Sequence, residues 1–258
     1  MDLEIVGKLV VITRGSNGIG AAAARPCAHE SCRAICVARR KARLEQIVTE
    51  LRGAQAGYER MAIDLLGLNE ATTATHSLAN QFGSFDIVLH NLGRALGIKE
   101  PLAGVEQWQR AWNFNVGILI AISNLLIPFM RQNAWGRVIH RSSISGKIGE
   151  PRLSPFGGSL PYAAARAYLN AYVQRLGREL AEHNIVICAM PAAVLSGGKY
   201  WDKVSKQNSE LARTFLERHH SIRRFGKPEE IDSFATLMAS QHAFFAYGAL
   251  VPIVGGRV

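Results

Sequence analysis

A chain of 258 residues with 48% hydrophobic and 19% charged residues, 24 glycines and 9 prolines can bury a sizeable core, and its composition excludes disordered, collagen-like and coiled-coil classes. The net charge of +10 admits anionic partners, yet the basic residues are scattered apart from Arg39-Arg40-Lys41-Ala42-Arg43, with no aromatics interleaved as a single-strand surface needs, so no nucleic-acid partner is expected. Cys27, Cys32, Cys36 and Cys188 form no CxxC pair and have no histidine at ligand spacing, so neither a disulfide framework nor a metal site is expected and a reducing cytoplasm is the expected compartment. Asp2 and Glu4 stand where a signal peptide would be basic. The apolar run 116–130 is interrupted by Ser123, Asn124 and Pro128 and is too short to span a bilayer, so no membrane partner is expected.

Short apolar runs alternate with amphipathic segments throughout, without linker or repeat, and one domain over 1–258 is expected. The β-branched run 9–13 is followed by Gly15, Gly18 and Gly20 and by an alanine-rich segment over 21–28, which reads as strand, glycine turn and helix. A second strand is predicted over 33–38, and its helix carries Leu44, Ile47, Val48 and Leu51 on one face. Third and fourth strands are predicted over 58–63, ending at Asp64, and over 86–89, ending at His90-Asn91-Leu92-Gly93. Further strands follow over 137–140, 185–189 and 249–254, with a long helix over 161–182. Successive strand–helix units imply parallel pairing, so the fold class is α/β: a doubly wound, Rossmann-like sheet of seven parallel strands with helices on both faces, in three layers. Such sheets bind ligands at the carboxyl ends of their strands, which directs attention to 13–20, 38–43, Asp64, 91–93, 142–146 and 191–196.

A glycine turn before a helix lets the backbone approach a pyrophosphate, although the spacing Gly15-Ser-Asn-Gly18-Ile-Gly20 is not GxGxxG and a structural turn accounts for it nearly as well. The string Thr13-Arg-Gly-Ser-Asn-Gly-Ile-Gly20 resembles the Thr-Gly-x-x-x-Gly-Ile-Gly signature of the short-chain dehydrogenase/reductase family. His90-Asn91-Leu92-Gly93 is similar to its Asn-Asn-Ala-Gly, the segment 108–115 to the helix that closes on its catalytic Asn, and Ser142-Ser143-Ile-Ser-Gly146 to its serine segment. Tyr162-Ala-Ala-Ala-Arg166 stands where the family has Tyr-x-x-x-Lys, and 224–231 and 248–256 resemble its C-terminal part, so the likeness covers essentially the whole chain. The departures are Arg14 for the first glycine, His90 for the first Asn, Ala192 for the glycine after Pro191, and Arg166 for the lysine. The 19-residue interval from Ser143 to Tyr162 exceeds the family norm and predicts an enlarged loop near the site.

The resemblance implies a dinucleotide held by Thr13, Arg14, Gly15, Ser16, Gly18, Ile19, Gly20, Arg39, Asp64, Asn91, Gly93, Tyr162, Arg166 and Pro191. A carboxylate at the tip of the second strand would take the ribose of NAD, whereas a cation favours the extra phosphate of NADP. Ala38 and Arg39 occupy that tip with no carboxylate before Glu45, so NADP(H) is the preferred cofactor and NAD(H) the alternative. Arg40 and Arg43 read equally well as an exposed first helical turn.

Hydride reduction of a carbonyl needs a proton donor, a group that polarises the oxygen and a cation that makes the donor acidic. Tyr162 and Arg166, four apart on a helix, share a face. The resemblance makes Tyr162 the acid/base, Ser143 the group that orients the oxygen, Asn115 the support of a relay water and Arg166 the cation, with Ser142 and Ser145 as competitors for Ser143. Arginine brings a planar fork in place of the compact ammonium that, in the family, also holds the nicotinamide ribose. His90 reads as a strand-end residue near the cofactor rather than an acid or base. The plain alternatives are a packing Tyr in an alanine-rich helix and a turn-forming serine. The function expected is NADP(H)-dependent hydride transfer on a small-molecule carbonyl/alcohol substrate. A catalytically silent nucleotide-binding regulator or assembly subunit is the alternative, supported by Arg14, His90, Ala192 and Arg166. The segment 195–220, with Tyr200 and Trp201, lies where the family has its lid and offers no anchor that names a substrate. Ile118, Ile122, Leu125 and Leu126, then Tyr168, Leu169, Tyr172, Val173 and Leu176, exceed what one sheet face needs, and the family packs these helices between subunits, so a homotetramer or homodimer is expected.

Overall fold

A computed structural model describes residues 2–16, 18–52, 57–62, 65, 67–147, 159–197 and 199–257. Six strands, β1 (Leu9–Thr13), β2 (Arg33–Ala38), β3 (Tyr58–Ala62), β4 (Ile87–His90), β5 (Gly136–Ser143) and β6 (Ile185–Ala192), form one parallel sheet in the order β3-β2-β1-β4-β5-β6. All five residues of β1 are buried, as expected of an apolar run covered on both faces. The helices are α1 (Gly18–His29), α2 (Lys41–Arg52), α3 (Leu68–Phe82), α4 (Val105–Trp112), α5 (Ile118–Gln132), α6 (Leu160–Leu180), α7 (Lys199–Gln207), α8 (Ser209–His219) and α9 (Pro228–Met238). One core joins the sheet to α3, α5 and α6, and a second joins its opposite face to α1, α2 and α9. The architecture is the three-layer, doubly wound α/β fold. The strand order reverses between β1 and β4, which opens a crevice at their carboxyl ends.

The expected seventh strand over 249–254 is not part of the sheet. It runs parallel to β6 but makes only isolated bridges, Ala189 to Leu250 and Ala192 to Ile253. Its bonds include Val251 N–H to the Ala189 carbonyl at 2.8 Å and Ile253 N–H to the Pro191 carbonyl at 2.9 Å. The N–H of β6 that would return to the Val251 carbonyl belongs to Pro191, which has none, so a continuous ladder cannot close.

The run Val105–Gln132 is one helical rod, α4 and α5 joined by a π-turn over Asn113–Gly117. By length and composition it could cross a membrane, yet 61% of its most apolar window is buried in this fold. Of the residues taken above as surplus apolar surface, Ile118, Ile122, Leu126, Leu169 and Val173 are buried within the chain itself, because both helices turn these faces to the sheet. Tyr168 of that set is exposed, and the other exposed apolar residues on this side are Leu102, Val105, Trp108 and Leu160.

Candidate active site

The turn after β1 is shaped by close approach. A Cβ at Gly15 would stand 2.9 Å from the Cβ of Cys36, and one at Gly20 would strike the Arg14 carbonyl, so the chain can make this cradle only with glycine at both places. Ser16 is buried in it and Gly18 opens α1, while Ile19 follows in the first helical turn. Thr13 stitches the crevice: its hydroxyl accepts from Asn91 N–H at 2.9 Å and donates to the Leu89 carbonyl at 3.5 Å. Arg14 adopts the left-handed region, φ +54°, and its Nη1 donates to the Gly93 carbonyl at 3.2 Å. Surrounding protein, then the charges of Arg94 and Arg166, push its guanidinium below the usual range, with Tyr162 pulling upward and Arg39 downward, although an edge of the residue stays exposed. Arg39 is exposed just beyond β2, and Glu45, the first carboxylate after it, is paired with Arg60 at 3.1 Å. Asp64 and residues 148–158 of the expected enlarged loop between Ser143 and Tyr162 lie outside the described residues.

On the other side of the crevice the π-turn buries Asn115 completely. Its Oδ1 accepts from Arg94 N–H at 3.0 Å, and its Nδ2 donates to the carbonyls of Arg94 at 3.1 Å and Ala111 at 2.9 Å. This clasp holds the main chain next to Gly93. A Cβ at Gly93 would fall on Nη2 of Arg166, whose guanidinium donates to the Leu92 carbonyl at 2.7 Å and the Arg141 carbonyl at 3.4 Å. Ser159 caps α6 by accepting from Tyr162 N–H at 3.4 Å, and the Arg166 guanidinium lies 5.2 Å from the centre of the Tyr162 ring. Gly146, whose Cβ would meet the Arg166 main chain at 2.6 Å, lets the segment after β5 press on α6. Ser143 thereby comes close to the helix of Tyr162. Its hydroxyl donates to Ser145 Oγ and accepts from Ser145 N–H, both at 3.2 Å. Ser142 is turned the other way, donating to Asn170 Oδ1 at 2.7 Å, and Pro191 and Ala192 lie in register with Ser142 and Ser143.

The model of the short chain dehydrogenase family matches residues 8–207. The chain belongs to that family. A 3-oxoacyl-(acyl-carrier-protein) reductase of Thermotoga maritima is 23% identical over 99% of the chain and all of its own length, and an oxidoreductase of Sarocladium schorii, asL5, is 30% identical over 98% and 96%. Among solved structures, L-sorbose reductase from Gluconobacter frateurii, determined with NADPH and L-sorbose, superposes with a TM-score of 0.88 at 27% identity, covering 100% of this chain and 98% of that one.

This short-chain dehydrogenase carries three features that local sequence patterns did not reveal. His90 and His140, paired across β4 and β5, stack with ring centres 4.6 Å apart, and His90 Nε2 lies 3.1 Å from Ser123 Oγ on α5. The His90 ring thus turns to the helix layer and away from the glycine turn, and burial drives its pKa down to about 3, while burial, His90 and Arg166 hold His140 well below its usual value. Both rings are neutral at ordinary pH. Arg141 and Asp232 form an ion pair of 2.6 Å between β5 and α9, with side chains 11% and 0% exposed. The third is Arg94 itself, whose backbone is gripped by Asn115 from 21 residues away. A charge inside a strand as buried as β5 is a signal for the second feature; the other two have none.

The residues present fit a phosphate-bearing dinucleotide. The cradle excludes side chains at Gly15 and Gly20, α1 begins at its edge, and Arg14 and Arg39 flank it.

Proposed function

We propose that this chain is an NADP(H)-dependent oxidoreductase that transfers hydride between nicotinamide and a small-molecule carbonyl/alcohol pair. The observation that supports this reading best is the meeting of Tyr162, Arg166 and the serine segment at the end of β5. A bound nicotinamide would supply or accept the hydride. Tyr162 would give its hydroxyl proton to the carbonyl oxygen and take it back in the reverse direction, while the Ser143 hydroxyl donates a hydrogen bond to the same oxygen. Arg166 contributes a permanent positive charge beside the phenol. Both amide hydrogens of Asn115 and its Oδ1 are engaged, so its support of a relay water would fall to its main-chain carbonyl. Turnover of a panel of ketones, ketose sugars and secondary alcohols with NADPH and NADH tests the reading. The engagement of Arg166 with two main-chain carbonyls favours the second reading, dinucleotide binding without turnover, and that reading holds if the panel is inert while the dinucleotide still binds.

Arg39 makes NADPH the tighter ligand in this reading. Arg39→Asp is expected to narrow or invert the preference, because the 2′-phosphate loses its cation and the ribose hydroxyls gain an acceptor. Fluorescence titration showing NADH bound at least as tightly by the unaltered chain would contradict the preference.

A second copy of the chain is the partner that the exposed row Leu102, Val105, Trp108 and Tyr168 fits, α4 and α6 lying side by side with Trp112 edge-on to Tyr168 at 5.9 Å. A dimer or tetramer is expected by light scattering at micromolar concentration, and a monomer there would refute it. A cytoplasmic location belongs to the same reading, with Cys27, Cys32, Cys36 and Cys188 all buried as thiols.

A further inference from the structure

The family turn has glycine at position 14, where the main chain takes a left-handed conformation, φ +54°, that an L-residue with a side chain adopts at a cost. The chain carries arginine there. Its side chain crosses from the end of β1 to the end of β4, a span of 79 residues in sequence, and the hydrogen bond it makes among the described residues is from Nη1 to the neutral Gly93 carbonyl. Arg94, Arg166 and Arg39 stand close enough for their charges to oppose its own. No ion pair among the described residues includes Arg14, Arg94 or Arg166, and the buried carboxylate nearest in chemistry, Asp232, is taken by Arg141. The guanidiniums of Arg14, Arg94 and Arg166, gathered on one cleft with no ion pair among the described residues, are unfavourable by themselves and favourable around an anion. Arg166 is not available to grip one, since both its terminal nitrogens hold main-chain carbonyls behind Gly93. Arg14 has an exposed edge and one weakly competing acceptor.

We propose that Arg14 is a phosphate-gripping residue of the dinucleotide cleft, its guanidinium taking a phosphate oxygen in exchange for the Gly93 carbonyl. The proposal rests on the dinucleotide reading above. Guanidinium and phosphate form charge-assisted bonds roughly twice as strong as a neutral one, which gives the exchange its direction. The strained backbone is then retained for binding, since glycine would relieve it and lose the grip.

The test is NADPH titration at several potassium chloride concentrations, together with thermal melting of the dinucleotide-free proteins, for the unaltered chain, Arg14→Gly and Arg14→Lys. Arg14→Gly is expected to weaken NADPH binding about tenfold or more and to flatten its salt dependence, with a melting temperature unchanged or raised, because glycine accepts the turn's conformation freely. Arg14→Lys, which keeps the charge but not the fork, should recover part of the affinity. Equal or tighter NADPH binding by Arg14→Gly overturns the proposal, as does weakened binding with a lowered melting temperature and an unaltered salt dependence, the mark of a merely structural role. An unaltered chain that binds neither NADPH nor NADH overturns the dinucleotide reading and this proposal with it; one that binds while Arg14→Gly binds equally overturns this proposal alone.

Discussion

Tyr162→Phe is expected to lower turnover of any ketone or alcohol the chain converts by about 100-fold or more, with NADPH affinity within about threefold of the unaltered chain. Phenylalanine keeps the ring that faces the Arg166 guanidinium at 5.2 Å and so keeps the local packing. It removes only the hydroxyl, the one group in the arrangement able to both give and take a proton, since His90 and His140 are buried and held neutral and Ser143 has no base beside it among its described partners. Steady-state kinetics on the best substrate, beside a dinucleotide titration, separates chemistry from binding. Undiminished kcat in Tyr162→Phe would remove Tyr162 from the mechanism.

Asp232→Ala is expected to destabilise the fold by about 3–5 kcal/mol, the usual consequence of removing one partner of a buried ion pair. Among the described residues Arg141 would be left with no acceptor, its Nε and Nη1 being already without partners there. Burial outweighs mutual attraction at both ends of this pair: it pushes Asp232 up to about 6 despite Arg141, and it lowers Arg141 despite Asp232. Replacing both residues by leucine is therefore expected to leave stability near that of the unaltered chain or above it. The same burial sets the pH dependence. Because the folded pKa of Asp232 lies above its unfolded value, the folded chain holds a proton that the unfolded chain releases between about pH 4 and 6. The contribution of this group is greatest at low pH and is lost as pH rises through about 6, so the unaltered chain should gain on the double variant between about pH 7.5 and 5. Urea unfolding at the two pH values measures this. Unchanged stability in Asp232→Ala would show that Arg141 finds another acceptor.

Much of the scaffold can be read from local pattern. The β-branched run of β1, the glycine turn and the alanine-rich α1 follow one another within 21 residues, and the one-sided spacing of Leu44, Val48 and Leu51 buries that face of α2. The strand ends lie within a few residues of the sites the pattern indicates, although β5 and β6 each run three residues further, to Ser143 and Ala192. Those extensions carry the serine pair and Pro191 into the sheet itself, where pairing between neighbouring strands, not local propensity, sets the length.

The sequence by itself determined the order of strands and helices, the glycine turn, the common helical face of Tyr162 and Arg166 and the cation at Arg39, because each of these depends on residues within one or two turns of each other. Only the tertiary structure decided which way the long side chains point. The guanidinium of Arg166 goes to carbonyls 74 and 25 positions away, Arg141 to an aspartate 91 away, and Arg14 across the crevice to Gly93. A flexible cation takes the acceptor that folding delivers to it, and which acceptors arrive is set by sheet order and packing, which no local window contains. The missing seventh strand has the same origin: Pro191 breaks a ladder only because the fold lays the segment 249–254 beside the edge of β6 on which its N–H is missing.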